Sequence, residues 1–154
     1  MTFAFRNIKV TPDDPVEHWG LEGIETALER GSLRYWRRIA AAILADPWGQ
    51  VARDVEEALA FSRPYGVADL MDRIIEKARS EAAHDERRVV AGEVSALVAS
   101  SGLSRRQFAE RIGTSTSRLS TYESAKVVPS ATMMVRMRRV AAASKQHERT
   151  YQSR

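Results

Sequence analysis

The sequence predicts an all-α chain: an N-terminal helical module over residues 1–80, a connector at 81–88, a five-helix domain over 89–143 and a polar tail at 144–154. Three observations predict it. Apolar residues recur at three- and four-residue spacing from Trp19 onward, no convincing alternating strand follows the first few residues, and Ser, Asp-Pro and Gly signals punctuate the periods as helix starts and stops.

Phe3, Phe5, Ile8 and Val10 alternate roughly before Pro12-Asp13-Asp14-Pro15, which reads as a turn or an unstructured arm. Trp19, Leu21, Ile24 and Leu28 then mark a first helix, stopped by Gly31, with Ser32 as the next N-cap. Leu33, Trp36, Ile39, Ala40, Ile43 and Leu44 form the apolar stripe of a second helix, with Arg34, Arg37 and Arg38 turned away. Asp46-Pro47 predicts an N-cap with proline in the first helical position, opening a third helix through Val51, Val55 and Leu59 up to Arg63-Pro64-Tyr65-Gly66. Trp19, Trp36 and Trp48 are expected in the core of this module. Val67, Leu70, Met71, Ile74, Ile75 and Ala78 mark a fourth helix, which runs into the polar stretch Ser80 to Arg88. No Gly or Pro interrupts Ala68 to Ala91, so the boundary between modules is either a helix or a linker.

In the second module Val90, Val94, Leu97 and Val98 predict a helix ended by Ser100-Ser101-Gly102. Ser104 caps the next, which presents Phe108, Ala109 and Ile112 on one face. Gly113 stops it, and Ser115 caps the helix Thr116 to Ser124. Only about three residues separate these two helices, the tight turn of a helix-turn-helix. Ala109 is small where the helices cross, Gly113 can take a positive φ, and Leu119 and Tyr122 hold the second helix on the first. After a loop to Pro129, Ser130 caps a last helix with Met133, Met134, Met137, Val140 and Ala141 inward.

The run Leu103-Ser104-Arg105-Arg106-Gln107-Phe108-Ala109-Glu110-Arg111-Ile112-Gly113-Thr114-Ser115-Thr116-Ser117-Arg118-Leu119-Ser120-Thr121-Tyr122-Glu123, followed by Pro129-Ser130, resembles the phage repressor and Cro-like (xenobiotic-response-element, XRE) helix-turn-helix family. It departs at two positions: Arg105 stands where the family usually has an amide side chain, and Ala125 where it usually has glycine. The resemblance implies a Cro/repressor-like domain bound to double-stranded DNA, with Thr116, Ser117, Ser120 and Thr121 meeting base edges in the major groove. Arg105, Ser115, Arg118 and Lys126, at helix starts or on the rim, are the candidate phosphate contacts, while Glu123 orients a neighbour. A homodimer is implied, its recognition helices roughly 34 Å apart on a palindromic operator.

Composition agrees and excludes other classes. The 154 residues are 44% hydrophobic and 29% charged, with no apolar run long enough for a membrane span and no secretory leader, so a cytoplasmic, nucleoid-associated protein is expected. Cysteine is absent, and His18, His84 and His147 have no ligand spacing. Consecutive His84-Asp85-Glu86 point in different directions on a helix. No metal, cofactor or catalytic residue is therefore expected. Residues 1–80 carry 11 Lys+Arg against 13 Asp+Glu, and residues 81–154 carry 13 against 7, so the basic excess lies where phosphates would be met.

These features predict a DNA-binding transcriptional regulator, a repressor by resemblance, rather than an enzyme. The layout further resembles antitoxins that autoregulate a toxin-antitoxin operon, with residues 16–80 facing a cognate toxin. A prophage-type repressor and a protein-interaction scaffold built on a helix-turn-helix are the alternatives.

Overall fold

A computed structural model describes residues 3–6 and 8–152, with side chains up to Ser144. Among the described residues all regular structure is helical, with no strand, and the chain divides into two compact units, Met1–Ala82 and Ala83–Arg154.

The first unit starts with an arm that the sequence leaves undecided. Phe3, Phe5 and Val10 pack on the core, with ring centroids 4.6 Å apart for Phe3 and Tyr35 and 5.3 Å for Phe5 and Trp19. Asp14 closes the following turn: its Oδ2 accepts from Thr11 N at 2.7 Å and from Thr11 Oγ1 at 2.8 Å. Its carbonyl accepts from the Trp19 indole at 2.9 Å and from Arg38 Nη2 at 2.6 Å, while Arg38 Nη1 donates to the Pro12 carbonyl. A 3-10 turn, Val16–His18, leads into α1, Gly20–Arg30, which buries Ile24, Ala27 and Leu28 and packs chiefly along α3, Gln50–Phe61.

Helix α2, Leu33–Ala45, differs from expectation in the face it buries. Ile39 and Ile43 are fully buried, but Leu33 and Leu44 are 51% and 53% exposed. At about 100° per residue Leu33 and Leu44 share one side and Ile39 and Ile43 another, so the stripe read from sequence merges two faces. Ser32 is the N-cap as expected, although its side chain makes no capping bond.

Asp46-Pro47 does not start a helix. Asp46 ends α2, its N–H bonding the Ala42 carbonyl at 3.0 Å. A turn closes from Gly49 N to Asp46 O at 3.0 Å, and Gly49 caps α3. A proline suits the second position of a β-turn as well as a first helical position, and here the turn wins. Trp48 stands in that turn, 45% exposed, so it is not a core residue; Trp19 is buried and Trp36 half-buried, its indole donating to Ala27 O at 2.9 Å.

Helix α4 runs without a break from Val67 to Ser100, through the expected connector. Val67, Ala68, Met71, Ile75 and Ala78 belong to the core of the first unit, and Val94 and Val98 to that of the second. Arg79 holds α4 to α3 through a two-pronged bond to Glu56, at 2.7 and 2.9 Å.

The second unit comprises the end of α4, α5 (Arg105–Ile112), α6 (Thr116–Glu123) and α7 (Ala131–Gln152), four helical segments rather than the five expected; the segment between α6 and α7 is a loop, as the sequence predicts. Helix α7 stays helical to Gln152; the polar side chains expected of the tail lie beyond Ser144, outside the described residues. Arg138 ties α7 to α4, its Nε donating to Glu93 Oε1 at 2.8 Å.

The arm gives a pH test. Hydrogen bonds from the Thr11 backbone and side chain, with His18 and Arg38 nearby, hold the Asp14 carboxyl below its ordinary value of 3.8. A depressed carboxylate stabilises the fold above its unfolded pKa and loses that contribution as pH falls through the folded one. Asp14→Asn should therefore flatten the acid limb of stability measured by urea unfolding between pH 5 and about 2. Arg38→Ala should cost about 2 kcal/mol at neutral pH.

Candidate nucleic-acid interface

The interface is built on α5. Ser104 Oγ accepts from Gln107 N at 3.2 Å, and Gln107 Oε1 accepts from Ser104 N at 3.0 Å, a reciprocal capping box that fixes where α5 starts. Gln107 was not singled out from sequence, although glutamine three residues after the capping serine is its signature. Phe108, Ala109 and Ile112 are at most 1% exposed. Gly113 ends the helix at φ 77°, ψ 39°, and Thr114 N reaches back to Ala109 O at 2.9 Å.

Ser115 then caps α6, its hydroxyl accepting from Arg118 N at 3.1 Å. Leu119 and Tyr122 turn inward onto Phe108, Ala109, Ile112, Met134 and Met137. The opposite side of α6 carries the four expected base-reading residues: Thr116, Ser117 and Ser120 are exposed, and Thr121 is half-buried. The Thr121 hydroxyl donates to Arg118 O at 2.7 Å, which commits its proton to the helix.

The expected phosphate contacts have different surroundings. Ser115, Arg118 and Lys126 are exposed. Arg118 lies along Tyr122, its guanidinium carbon 5.6 Å from the ring centroid and its Nε 3.4 Å from the hydroxyl. Arg105 is 63% exposed and pairs with Glu123, Nη2 to Oε2 at 3.0 Å, while the Glu123 side chain is only 10% exposed and its Oε2 has no well-aligned hydrogen bond. Glu123 thus orients Arg105, joining the first residue of α5 to the last of α6.

Past Glu123 the chain reverses at Ala125, the one non-glycine residue with positive φ (59°) among those described. Val127 N returns to Thr121 O at 3.1 Å, and Ser130 Oγ accepts from Met133 N at 3.1 Å to start α7.

Residues 101–144 carry eight Lys/Arg and two Asp/Glu. Both acids are committed, Glu110 to Arg106 and Glu123 to Arg105. Arg111, Arg118, Lys126, Arg136 and Arg139 make no ion pair among the described residues, so the surface is strongly positive. Arg136 reaches the helix-turn-helix turn, its Nη1 3.8 Å from where a Cβ on Gly113 would sit; only folding brings α7 there, and nothing in the sequence spacing announces it. Among the described residues no group of three His, Asp or Glu could hold a metal, and no helix is long and apolar enough to cross a membrane.

The buried Ala109 on the first helix, a left-handed glycine turn and a hydroxyl-lined second helix decide the nature of this unit. Residues 81–151 match the model of a helix-turn-helix domain family. Neither a curated protein nor a solved structure matches the chain. The second unit is a helix-turn-helix domain, the device with which DNA-binding regulators dock on a duplex.

Two substitutions with opposite signs test the turn geometry. A Cβ at Gly113 meets nothing closer than 3.8 Å, so Gly113→Ala is strained by φ alone and should destabilise by about 1 kcal/mol. Ala125→Gly relieves the same strain against a larger unfolded-state entropy and should stabilise by about 0.5 kcal/mol. Urea midpoints of the two variants moving in the same direction would contradict this account.

Proposed function

We propose that the chain is a sequence-specific transcriptional repressor of XRE type that inserts α6 into the major groove as a homodimer. The observation that carries the reading is the outward side of α6, where Thr116, Ser117 and Ser120 project from a helix whose other side is buried, in a unit with five cations free of ion pairs among the described residues. Short hydroxyls bond to donors or acceptors, and threonine methyls pack on thymine methyls; such contacts discriminate less per residue than a two-pronged arginine. Water-mediated and shape readout supply the remainder.

Ser115, Arg118 and Lys126 hold the flanking phosphates. Arg105 joins them by exchanging one anion for another, since a phosphate competes with Glu123 for its guanidinium.

Mobility shift with the DNA upstream of the protein's own coding region tests this. Ser117→Glu and Arg118→Glu should each weaken binding at least about tenfold, and Lys126→Ala should reduce the slope of log K against log salt by about 0.9. Wild-type protein that shifts no such fragment, or variants that bind like wild type, would refute the reading.

A narrower reading, an autoregulating antitoxin, is favoured by the first unit: Phe61 is 80% exposed and Tyr65 fully so, bulky side chains suited to a protein partner. On co-expression with the product of the adjacent gene, Phe61→Ala/Tyr65→Ala should abolish a complex that the wild type forms while leaving DNA binding intact. No complex with the wild type would refute the antitoxin role.

A further inference from the structure

Helix α2 leaves one side unpartnered. Leu33, Arg37, Ala41 and Ala45 are all exposed and lie four residues apart, a single i±4 ridge, with Leu44 beside it and Trp48 in the turn beyond its end. Three of the exposed large apolar side chains therefore gather on or next to 13 residues of helix. The ridge is basic as well, since α2 contains no Asp or Glu. Of its arginines, Arg34 pairs with Asp13 at 3.6 Å and Arg38 is engaged by the Pro12 and Asp14 carbonyls. Arg37 makes no ion pair or side-chain hydrogen bond among the described residues.

At the C-terminal end of α2 a cleft of about 100 Å³ is lined by Glu17, Ala45, Asp46 and Gln50, among others. Neither Glu17 nor Asp46 has an ion-pair partner among the described residues, and the last carbonyls of α2 add their partial negative charge. The chain thus presents Arg37, without an ion pair among the described residues, one turn before Ala41 and an acidic cleft one turn after it.

We propose that α2 pairs antiparallel with α2 of a second copy of this chain, about a two-fold axis through Ala41. The inference rests on the homodimer proposed above and names its contact. In this arrangement residue i faces residue 82 − i of the second copy. The small Ala41 side chains meet on the axis and let the helices approach to about 8 Å. Arg37 faces Ala45 of the second copy and enters the cleft beside its Asp46 and Glu17, and Leu33 covers the turn that carries Trp48. Each contact occurs twice, as two-fold symmetry requires. The two Arg37 side chains start eight residues apart along the pair, about 12 Å, so they do not oppose one another. A foreign partner would also need an arginine-accepting and an arginine-donating end; a second copy has both at the required separation. A contact of this length gives a dimer that dissociates at micromolar concentration rather than an obligate one.

Sedimentation velocity of the full chain without DNA, across the micromolar range, tests the pairing. Wild type should be a concentration-dependent dimer. Arg37→Asp alone and Asp46→Arg alone should be at least tenfold weaker, and mixing the two variants, or combining them in one chain, should restore association because every swapped pair is again opposite in charge. Ala41→Glu, which sets two carboxylates on the axis, should also yield monomer. All these positions are exposed, and unchanged helical circular dichroism establishes that each variant is folded. A wild-type monomer at every concentration would overturn the homodimer and its contact together. A dimer that survives Arg37→Asp and Ala41→Glu, or single reversals that fail to complement one another, would overturn the α2 contact while leaving a homodimer through another face. Mobility shift reports DNA binding separately from either outcome.

Discussion

The close crossing of α5 and α6 is the constraint on which the DNA-facing surface depends. Ala109 is fully buried there, and Gly113 takes the left-handed conformation that sends the chain back within three residues. Any side chain larger than a methyl at 109 would separate the helices, and protein interiors do not absorb even one added methylene without strain. Leu119 and Tyr122 then have only one way to reach Phe108 and Ile112, and that fixes which side of α6 is left outward. The hydroxyl row at 116, 117 and 120 is a consequence of packing on the other side of the helix.

The charge pattern follows a similar logic. A domain meant for a polyanion needs cations, yet two of the acids it retains join separate helices. Glu93 anchors α7 to α4 through Arg138, Glu110 takes Arg106 on its own helix, and Glu123 takes Arg105 across from α5. Glu123 is the informative case because its side chain is nine-tenths buried. A carboxylate so enclosed costs much of its hydration, and a single imperfect ion pair with an exposed arginine compensates only part of that. Arg105 is in turn oriented by Glu123; were it to hold a phosphate as proposed, that would lower the ordering cost of binding.

What the sequence made legible was local in origin. Ser104, Ser115 and Ser130 were readable as caps because a capping bond spans only three residues, and Gly113 because a positive φ favours one residue type. The inward set of the second unit was readable for the same reason: Ala109, Leu119 and Tyr122 have a fixed spacing. The features that sequence missed are decided by distant partners. Whether Leu33 or Ile39 is buried depends on where α1 and α3 lie against α2. Asp46-Pro47 serves a helix start and a β-turn equally well until tertiary packing chooses. The polar stretch Ser80 to Arg88 contains no breaker, which left helix or linker open, and α4 continues through it. Ala125 is the converse case, a residue whose type argues against the conformation it adopts, held at φ 59° by the return of Val127 to Thr121.

The hydroxyl chemistry of α6 bears on why a second copy matters. Thr121 donates its proton to the helix and keeps an acceptor oxygen and a methyl; Thr116, Ser117 and Ser120 can each rotate a hydroxyl to suit either donor or acceptor. A reader that adapts at three of four positions gains contacts on many sequences and so separates them poorly. In the homodimer proposed above, selectivity would come from requiring two such surfaces to be satisfied at once at a fixed spacing, because small preferences add in free energy and multiply in occupancy. The α2 pairing proposed above would suit that role: it uses none of the α6 hydroxyls, and its modest strength would make occupancy depend on the concentration of the protein.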